Sequence, residues 1–203
     1  MRSLVIFAAL AASMSFSARA LADKDADLDR RKFAGEFGKA VENIAACDRV
    51  INDPKTTVRR LTSRARLSYL LGNNAAAIED FTKSIRLDAD NPSGYLNRGV
   101  AYYVLGGHLA DAAADFKKAA ELNPRDAYAA LWRDLAERRN GAPGHLAEAA
   151  KQLDMTVWPA PVIRHFLGEA NAEQTFAAAF DTDPRTKLAQ TCEANFYAGE
   201  FAL

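Results

Sequence analysis

The sequence contains few cysteines, no excess of charge of one sign and no long alternation of β-branched residues. It has 2 cysteines among 203 residues, and its 26 basic side chains equal its 26 acidic ones in number. A chain without net charge has no electrostatic attraction for nucleic acid, so we expect no nucleic-acid partner. Alternations of Val, Ile and Thr with polar residues are absent, while Ala, Leu, Glu, Lys and Arg dominate. The composition therefore predicts an all-α protein.

The motifs of common catalytic and cofactor sites are also absent from the sequence. It contains no Gly-x-Ser-x-Gly, no His-Glu-x-x-His, no glycine-rich phosphate loop and no Cys-x-x-Cys. The three histidines, His108, His145 and His165, lie in different units of the chain, which argues against a shared metal site. We therefore expect a protein that is not an enzyme and that uses no cofactor and no metal.

The amino terminus has the order of a secretory signal peptide. Arg2 supplies the positive charge, residues 4–12 form an apolar core, and a small-x-small cleavage site ends at Ala20 or at Ala22. The apolar core is too short to remain as a membrane-spanning helix. We therefore expect residues 1–22 to be removed and the mature chain to be periplasmic. No cysteine follows the cleavage site, so no lipid anchor is evident.

The chain repeats itself between residues 58 and 126. Tyr69 returns as Tyr103, 34 residues later, and Phe81 returns as Phe116, 35 residues later. A period of this length that is built from two helical patterns is typical of repeat proteins whose units are helix pairs. Each unit buries its apolar face against the next unit, so the pattern predicts a solenoid.

The second copy resembles the tetratricopeptide (TPR) motif. The small and aromatic positions of the motif, and the residue that ends it, are occupied by Gly99, Tyr102, Ala112, Phe116, Ala119 and Pro124. The resemblance implies a TPR-type α-solenoid of antiparallel helix pairs. After the signal peptide we expect a divergent half-repeat or cap, TPR 1, TPR 2, a degenerate helix pair and a C-terminal helical segment, at residues 23–57, 58–91, 92–126, 127–157 and 158–203.

The C-terminal segment carries a second and narrower resemblance. Trp158 and residues 162–168, 172–175 and 193–200 resemble the corresponding part of NlpI-type bacterial envelope lipoproteins. Those proteins are TPR adaptors that bring a peptidoglycan hydrolase to a processing protease. The resemblance therefore implies an adaptor for cell-wall hydrolases or proteases. The lipidated cysteine of that family has no counterpart here, which agrees with the absence of a lipid anchor.

The last predicted helix, at about residues 186–201, has an apolar face and no following helix to cover it. A repeat does not bury its own face alone. Three explanations stay open: the chain is a truncation of a longer parent, the face packs back on residues 158–180, or it pairs with a second molecule as a homodimer. We expect an unpaired helix that was cut from a longer parent.

The concave groove is the predicted binding site, because first-helix residues of TPR units line the inner surface that takes a peptide or a partner helix. Aromatic and arginine side chains dominate interface energetics. The groove is expected to bind protein or peptide partners through a set from TPR 1 and TPR 2 that consists of Arg59, Thr62, Ser63, Arg66, Tyr69, Leu96, Asn97, Val100 and Tyr103. The chain is thus predicted to be a non-enzymatic scaffold.

A peptidoglycan- or glycan-binding accessory protein is the alternative function. In that case Trp158, in an extended segment between prolines, would offer its ring as a stacking surface. The two cysteines, Cys47 and Cys192, are expected to be free thiols, because several helices separate them and bridged Cα atoms must lie within about 7 Å.

Overall fold

The computed structural model describes residues 57–201, which contain nine α-helices and no strand. The all-α prediction is therefore confirmed for this part of the chain. The predicted signal peptide (1–22), nearly all of the predicted leading half-repeat (23–57) and Cys47 lie outside the described residues.

Four helices of equal length form the two repeats. In chain order they are α1 (Thr57–Leu70), α2 (Asn74–Leu87), α3 (Pro92–Leu105) and α4 (Leu109–Leu122). Gly72 and Gly106 connect the helices of each pair at φ 77° and 75°, in the left-handed region that glycine adopts without strain. Each of the two predicted intervals, 58–91 and 92–126, thus holds one antiparallel helix pair.

The first helices begin at residues that cap them. Asn91 accepts a hydrogen bond from the Ser93 amide, and Pro92 fills the first turn of α3, where no amide donor is needed. Asp126 accepts from the amides of Tyr128 and Ala129 at the start of the fifth helix. Local sequence therefore sets the repeat boundaries.

Within each pair, a small residue of the first helix faces a buried phenylalanine of the second. Ala65 and Phe81 are 0% and 1% exposed in the first pair. In the second pair a Cβ atom built on Gly99 would lie 2.7 Å from the Phe116 ring, so only glycine fits there without a shift. The TPR motif's small position is thus explained by close helix packing.

A buried ion pair recurs in both repeats at equivalent positions. Arg64 donates two hydrogen bonds to Asp80, and Arg98 donates two to Asp115. The arginines are 34 residues apart and the aspartates 35, which is the spacing of the repeat. Arg98 also donates to Thr82 Oγ1 at 3.0 Å and so joins the second repeat to the first.

The rest of the described chain contains shorter helices between two longer ones. They are α5 (Ala127–Arg139), α6 (Leu146–Ala150), α7 (Ala160–Phe166), α8 (Ala172–Ala178) and α9 (Pro184–Phe201). The degenerate helix pair expected at residues 127–157 corresponds to α5 and α6, and α6 is only 5 residues long. The start of α6 is held by Asp134, which is fully buried and accepts from the Leu146 amide at 3.1 Å.

The last helix is covered, which differs from the expectation of an unpaired helix. Tyr197 and Ala194 on α9 are both 0% exposed. The chain turns back through α7 and α8, and α9 then lies against Phe166, Trp132 and their neighbours. The face thus packs back on the same chain, on Phe166 within residues 158–180 and also on Trp132 outside that range. The helix still leaves Leu188 and Phe201 exposed.

Candidate functional site

The first helices of the three successive helical units, α1, α3 and α5, form the surface that we call the inner face. In a TPR-type array this is the concave side, and α3 contacts both α1 and α5. The predicted groove residues come from α1 and α3, whereas α5 contributed none of them.

In the first repeat the structure separates the five predicted residues. Arg59 and Ser63 are exposed, and Arg66 and Tyr69 are half-buried. Thr62 was expected to line the groove, but its Oγ1 atom lies 3.0 Å from Ser84 Oγ on α2. The hydroxyl of the half-buried Thr62 is therefore used inside the helix pair, and its role in the groove stays a prediction.

Tyr69 contacts the apolar cores of both repeats. Its hydroxyl is buried and has no hydrogen-bond partner among the described residues. Burial raises the pKa of Tyr69 well above its ordinary value. The ring thus serves packing between the repeats, whereas Arg59 is exposed and Arg66 is half-buried on α1.

In the second repeat the predicted residues are largely covered. Leu96 is half-buried, while Asn97 and Val100 are 9% and 1% exposed. Asn97 donates its side-chain amide to the Ser93 carbonyl at 2.6 Å. Val100 belongs to the aromatic core around Trp132. Asn97 and Val100 are thus buried in this conformation, and their role as partner contacts stays a prediction.

Tyr103 is the predicted residue that makes a directed contact on the inner face. Its hydroxyl donates to Glu200 Oε2 on α9, and Arg139 Nη2 lies 3.0 Å from the same oxygen. The Arg139 guanidinium also lies over the Tyr103 ring, 5.3 Å from its centre. Burial and the bond to Glu200 raise the pKa of Tyr103. Tyr103 and Arg139 together bind one carboxylate.

Trp132 on α5 lies at the centre of an aromatic cluster and is 1% exposed. Its ring centre is 5.2 Å from that of Tyr103 and 5.6 Å from that of Phe116. On the other side it is 5.5 Å from Phe196 and 6.2 Å from Tyr197, both on α9. The indole of Trp132 therefore joins the repeats to the C-terminal helix.

Sequence reasoning missed Trp132, although a signal for it was present. It lies 35 residues after Asn97, which had been placed in the groove. The repeat offset, extended by one unit, points to Trp132. Arg139 and Glu200 carried no comparable signal, because they meet only in the folded chain.

A buried carboxylate holds α9 at a second point. Glu193 is 3% exposed and accepts hydrogen bonds from Trp158 Nε1 at 2.6 Å and from the Tyr128 hydroxyl at 3.0 Å. Burial raises the pKa of Glu193 above its ordinary value, and the two hydrogen bonds oppose part of that shift. The indole N–H of the half-buried Trp158 is thus used within the protein, and the glycan-stacking role of its ring stays a prediction.

The histidines each have a local contact. His108 Nδ1 lies 3.1 Å from Asp111, His145 Nδ1 lies 2.8 Å from Glu137, and His165 Nδ1 lies 3.1 Å from the Ala170 carbonyl. Between residues 57 and 201, no group of three or more His, Cys, Asp or Glu side chains is placed to hold a metal ion. Cys192 is half-buried on α9.

A family model described as "TPR repeat" matches residues 65–106. The match covers the end of α1, all of α2 and α3 and the turn after α3. Searches of the curated proteins and of the solved structures found no match to this chain. The match supports TPR repeats within residues 65–106, and the helices between residues 57 and 201 agree with an all-α, TPR-type helical repeat fold.

TPR repeats generally mediate contacts between proteins, and the match therefore favours a protein-interaction scaffold. The narrower NlpI-type resemblance of the C-terminal segment stays a prediction. None of the helices between residues 57 and 201 combines the length and the apolar character that a membrane-crossing helix needs.

Proposed function

We propose that this chain is an exported, non-enzymatic scaffold that binds a protein or peptide partner along its inner face. The observation that carries the proposal is that the inner face already holds an α-helix, α9, through Tyr103, Arg139 and Trp132. Tyrosine, tryptophan and arginine are the side chains that dominate the energetics of protein interfaces. A surface that binds one helix in this way is chemically suited to another.

The periplasm is the proposed location, and a cell-wall hydrolase or its protease is the proposed partner. The location is based on the signal-peptide pattern of residues 1–22, and the partner on the NlpI-type resemblance. An adaptor needs a binding surface but no catalytic group, which agrees with the sequence's lack of nucleophile–base and metal-ligand motifs.

Affinity capture tests the proposal. The mature chain is immobilised and exposed to native cell-envelope extract, and bound proteins are identified by mass spectrometry. The groove variant is Arg59→Glu/Arg66→Glu, which reverses two charges on the part of α1 that is open to a partner. The matched control is Lys117→Glu/Lys118→Glu, which reverses two exposed charges on α4, a second helix.

We expect a hydrolase or protease to be retained by the native chain and by the control but lost by the groove variant. Reversing the charge of an arginine that contacts an acidic partner converts attraction into repulsion. Circular dichroism must show that both variants are folded. Equal retention by the groove variant and the native chain would contradict the proposed site, and an extract that yields no hydrolase or protease would contradict the proposed partner.

A further inference from the structure

The inner face contacts α9 through the kinds of side chains that a binding site uses to hold a ligand. Phe196 and Tyr197 lie against Trp132, and Glu200, which is one helical turn further along, is bound by Tyr103 and Arg139. Residues three and four apart project from one face of a helix. The inner face therefore recognises two aromatic rings followed after one turn by a carboxylate.

The recognition of the carboxylate is specific in its geometry. A hydroxyl donor from α3 and a guanidinium donor from α5 meet at one oxygen of Glu200, whose side chain is 15% exposed. Because the two donors belong to neighbouring helical units, the site exists only where these units pack together. Hydrogen bonds to a charged group of this kind are stronger than those between neutral groups.

The packing of α9 is nevertheless incomplete in its hydrogen bonds. The Trp132 indole N–H and the Tyr197 hydroxyl are buried and have no partner among the described residues. The buried Glu193 carboxylate accepts hydrogen bonds from the Tyr128 hydroxyl and the Trp158 indole, which are both neutral donors. Each buried polar group without a partner lowers the stability of the docked arrangement. The helix α9 is thus a ligand that another helix of the same chemistry could replace.

The exposure of the first half of α9 agrees with the replacement of α9 by another helix. Its first turns are exposed, including Arg185, Lys187 and Leu188, and buried side chains begin only at Glu193. The segment that leads into α9 contains the exposed Phe180 and Asp183. The second half of α9 therefore makes most of the contacts that hold this helix against the rest of the chain.

We propose that the α3–α5 part of the inner face binds an α-helix of a partner protein that carries two adjacent aromatic residues followed three positions later by an acidic residue, and that α9 is a copy of this ligand within the chain. The inference rests on the proposed function and specifies the partner that the site takes. The partner helix replaces α9 on Trp132, Tyr103 and Arg139.

Binding of a peptide to the full chain tests this inference. The probe is a fluorescein-labelled peptide with the sequence of residues 184–201, and binding is followed by fluorescence anisotropy. In the variant Glu200→Lys, the new lysine faces Arg139 and weakens the docking of α9. The control Glu121→Lys makes the same charge change at an exposed position of α4.

We expect Glu200→Lys to bind the peptide about tenfold or more tightly than the native chain and the control, because the apparent affinity scales with the fraction of chains whose site is open. A peptide with Gln at the position of Glu200, and one with Ala at the positions of Phe196 and Tyr197, should bind more weakly to the same variant. Adding Tyr103→Phe to Glu200→Lys should also reduce binding. The milder variant Glu200→Gln repeats the test if Glu200→Lys is not folded.

Equal affinity of the peptide for the native chain, the control and Glu200→Lys would overturn the inference, and so would binding that ignores the aromatic and acidic residues of the peptide. The proposed function is judged separately. Capture of a hydrolase or protease that depends on Arg59 and Arg66, together with no peptide binding, would leave the scaffold proposal intact and reject only the helix chemistry.

Discussion

Two tyrosines at equivalent positions of the repeats, Tyr69 and Tyr103, differ in what their hydroxyls contact. Tyr103 donates to Glu200, whereas the buried Tyr69 hydroxyl has no partner within residues 57–201. We expect Tyr103→Phe to destabilise the chain by about 1.5–3 kcal/mol, the usual contribution of a hydrogen bond to a charged group. Tyr69→Phe should be neutral or slightly stabilising. Urea unfolding of both variants measures the difference, and equal effects of the two changes would contradict the assignment of Tyr103.

Two glycines in helices make a second matched pair at the scale of the residue. A Cβ atom on Gly99 would lie 2.7 Å from the Phe116 ring, whereas one on Gly199 would have no heavy atom within 4 Å. We expect Gly99→Ala to cost about 1–3 kcal/mol through overpacking. Gly199→Ala should stabilise by up to about 1 kcal/mol, since alanine is the better helix former. The same urea titration decides this, and a stabilising Gly99→Ala would show that the helix pair is less tightly packed than described.

The roles of residues could be predicted from the sequence where the same position has the same packing role in every repeat. Gly99 and Phe116 were found through the TPR motif, and their contact explains why the motif needs them. The local contacts of Thr62, Asn97 and Val100 were not predicted, because a helical pattern shows which residues share a face and not which side chain a neighbouring residue uses. Glu200 meets Tyr103 across 97 positions in sequence, a distance over which periodicity carries no information.

At the scale of the element, α9 is the helix whose docking depends on pH. Glu193 accepts hydrogen bonds from Trp158 and Tyr128, and Tyr197 lies one turn further along the same helix. Because burial raises its pKa above the ordinary value of 4.5, the folded chain holds this proton more tightly than the unfolded chain does. The contribution of Glu193 to stability therefore improves as the pH falls through the raised pKa, and it deteriorates as the pH rises.

The variant Glu193→Gln tests the sign of this effect, since an amide oxygen can still accept from Trp158 and Tyr128. We expect Glu193→Gln to be more stable than the native chain at about pH 7, with a difference that shrinks as the pH falls through the raised pKa of Glu193. Urea unfolding at several pH values measures the difference and cancels the groups that the two proteins share. A difference that stays constant with pH would contradict the assignment of the effect to Glu193.

The helices α1 to α4 could be located from sequence because a repeated pattern is read twice and each reading supports the other. The elements after α5 have no such period: α6, α7 and α8 are short, and their positions depend on contacts such as that of Asp134 with the Leu146 amide. The position of α9 depends on its packing against the repeats, and the composition of the chain does not predict that packing.

At the scale of the whole molecule, export is a prediction that the mass of the mature protein tests. Cleavage after Ala20 or Ala22 would give a chain that begins at Leu21 or Asp23. We expect periplasmic fractions of cells that produce the full-length chain to contain one of these two forms. A matched variant with Leu4→Arg and Phe7→Arg, which interrupts the apolar core of the signal, should remain unprocessed. An intact amino terminus in the native chain would contradict export.

The central claim is that the inner face of the TPR-type array binds a protein helix. Hydrogen–deuterium exchange on the Glu200→Lys chain, with and without the peptide of residues 184–201, tests it most directly. We predict that the peptide slows exchange in α3 and α5, whose side chains bind α9 in the native chain, and leaves α2 and α4 unchanged. Protection confined to α2 and α4, or no protection at a peptide concentration that saturates the anisotropy signal, would contradict the claim.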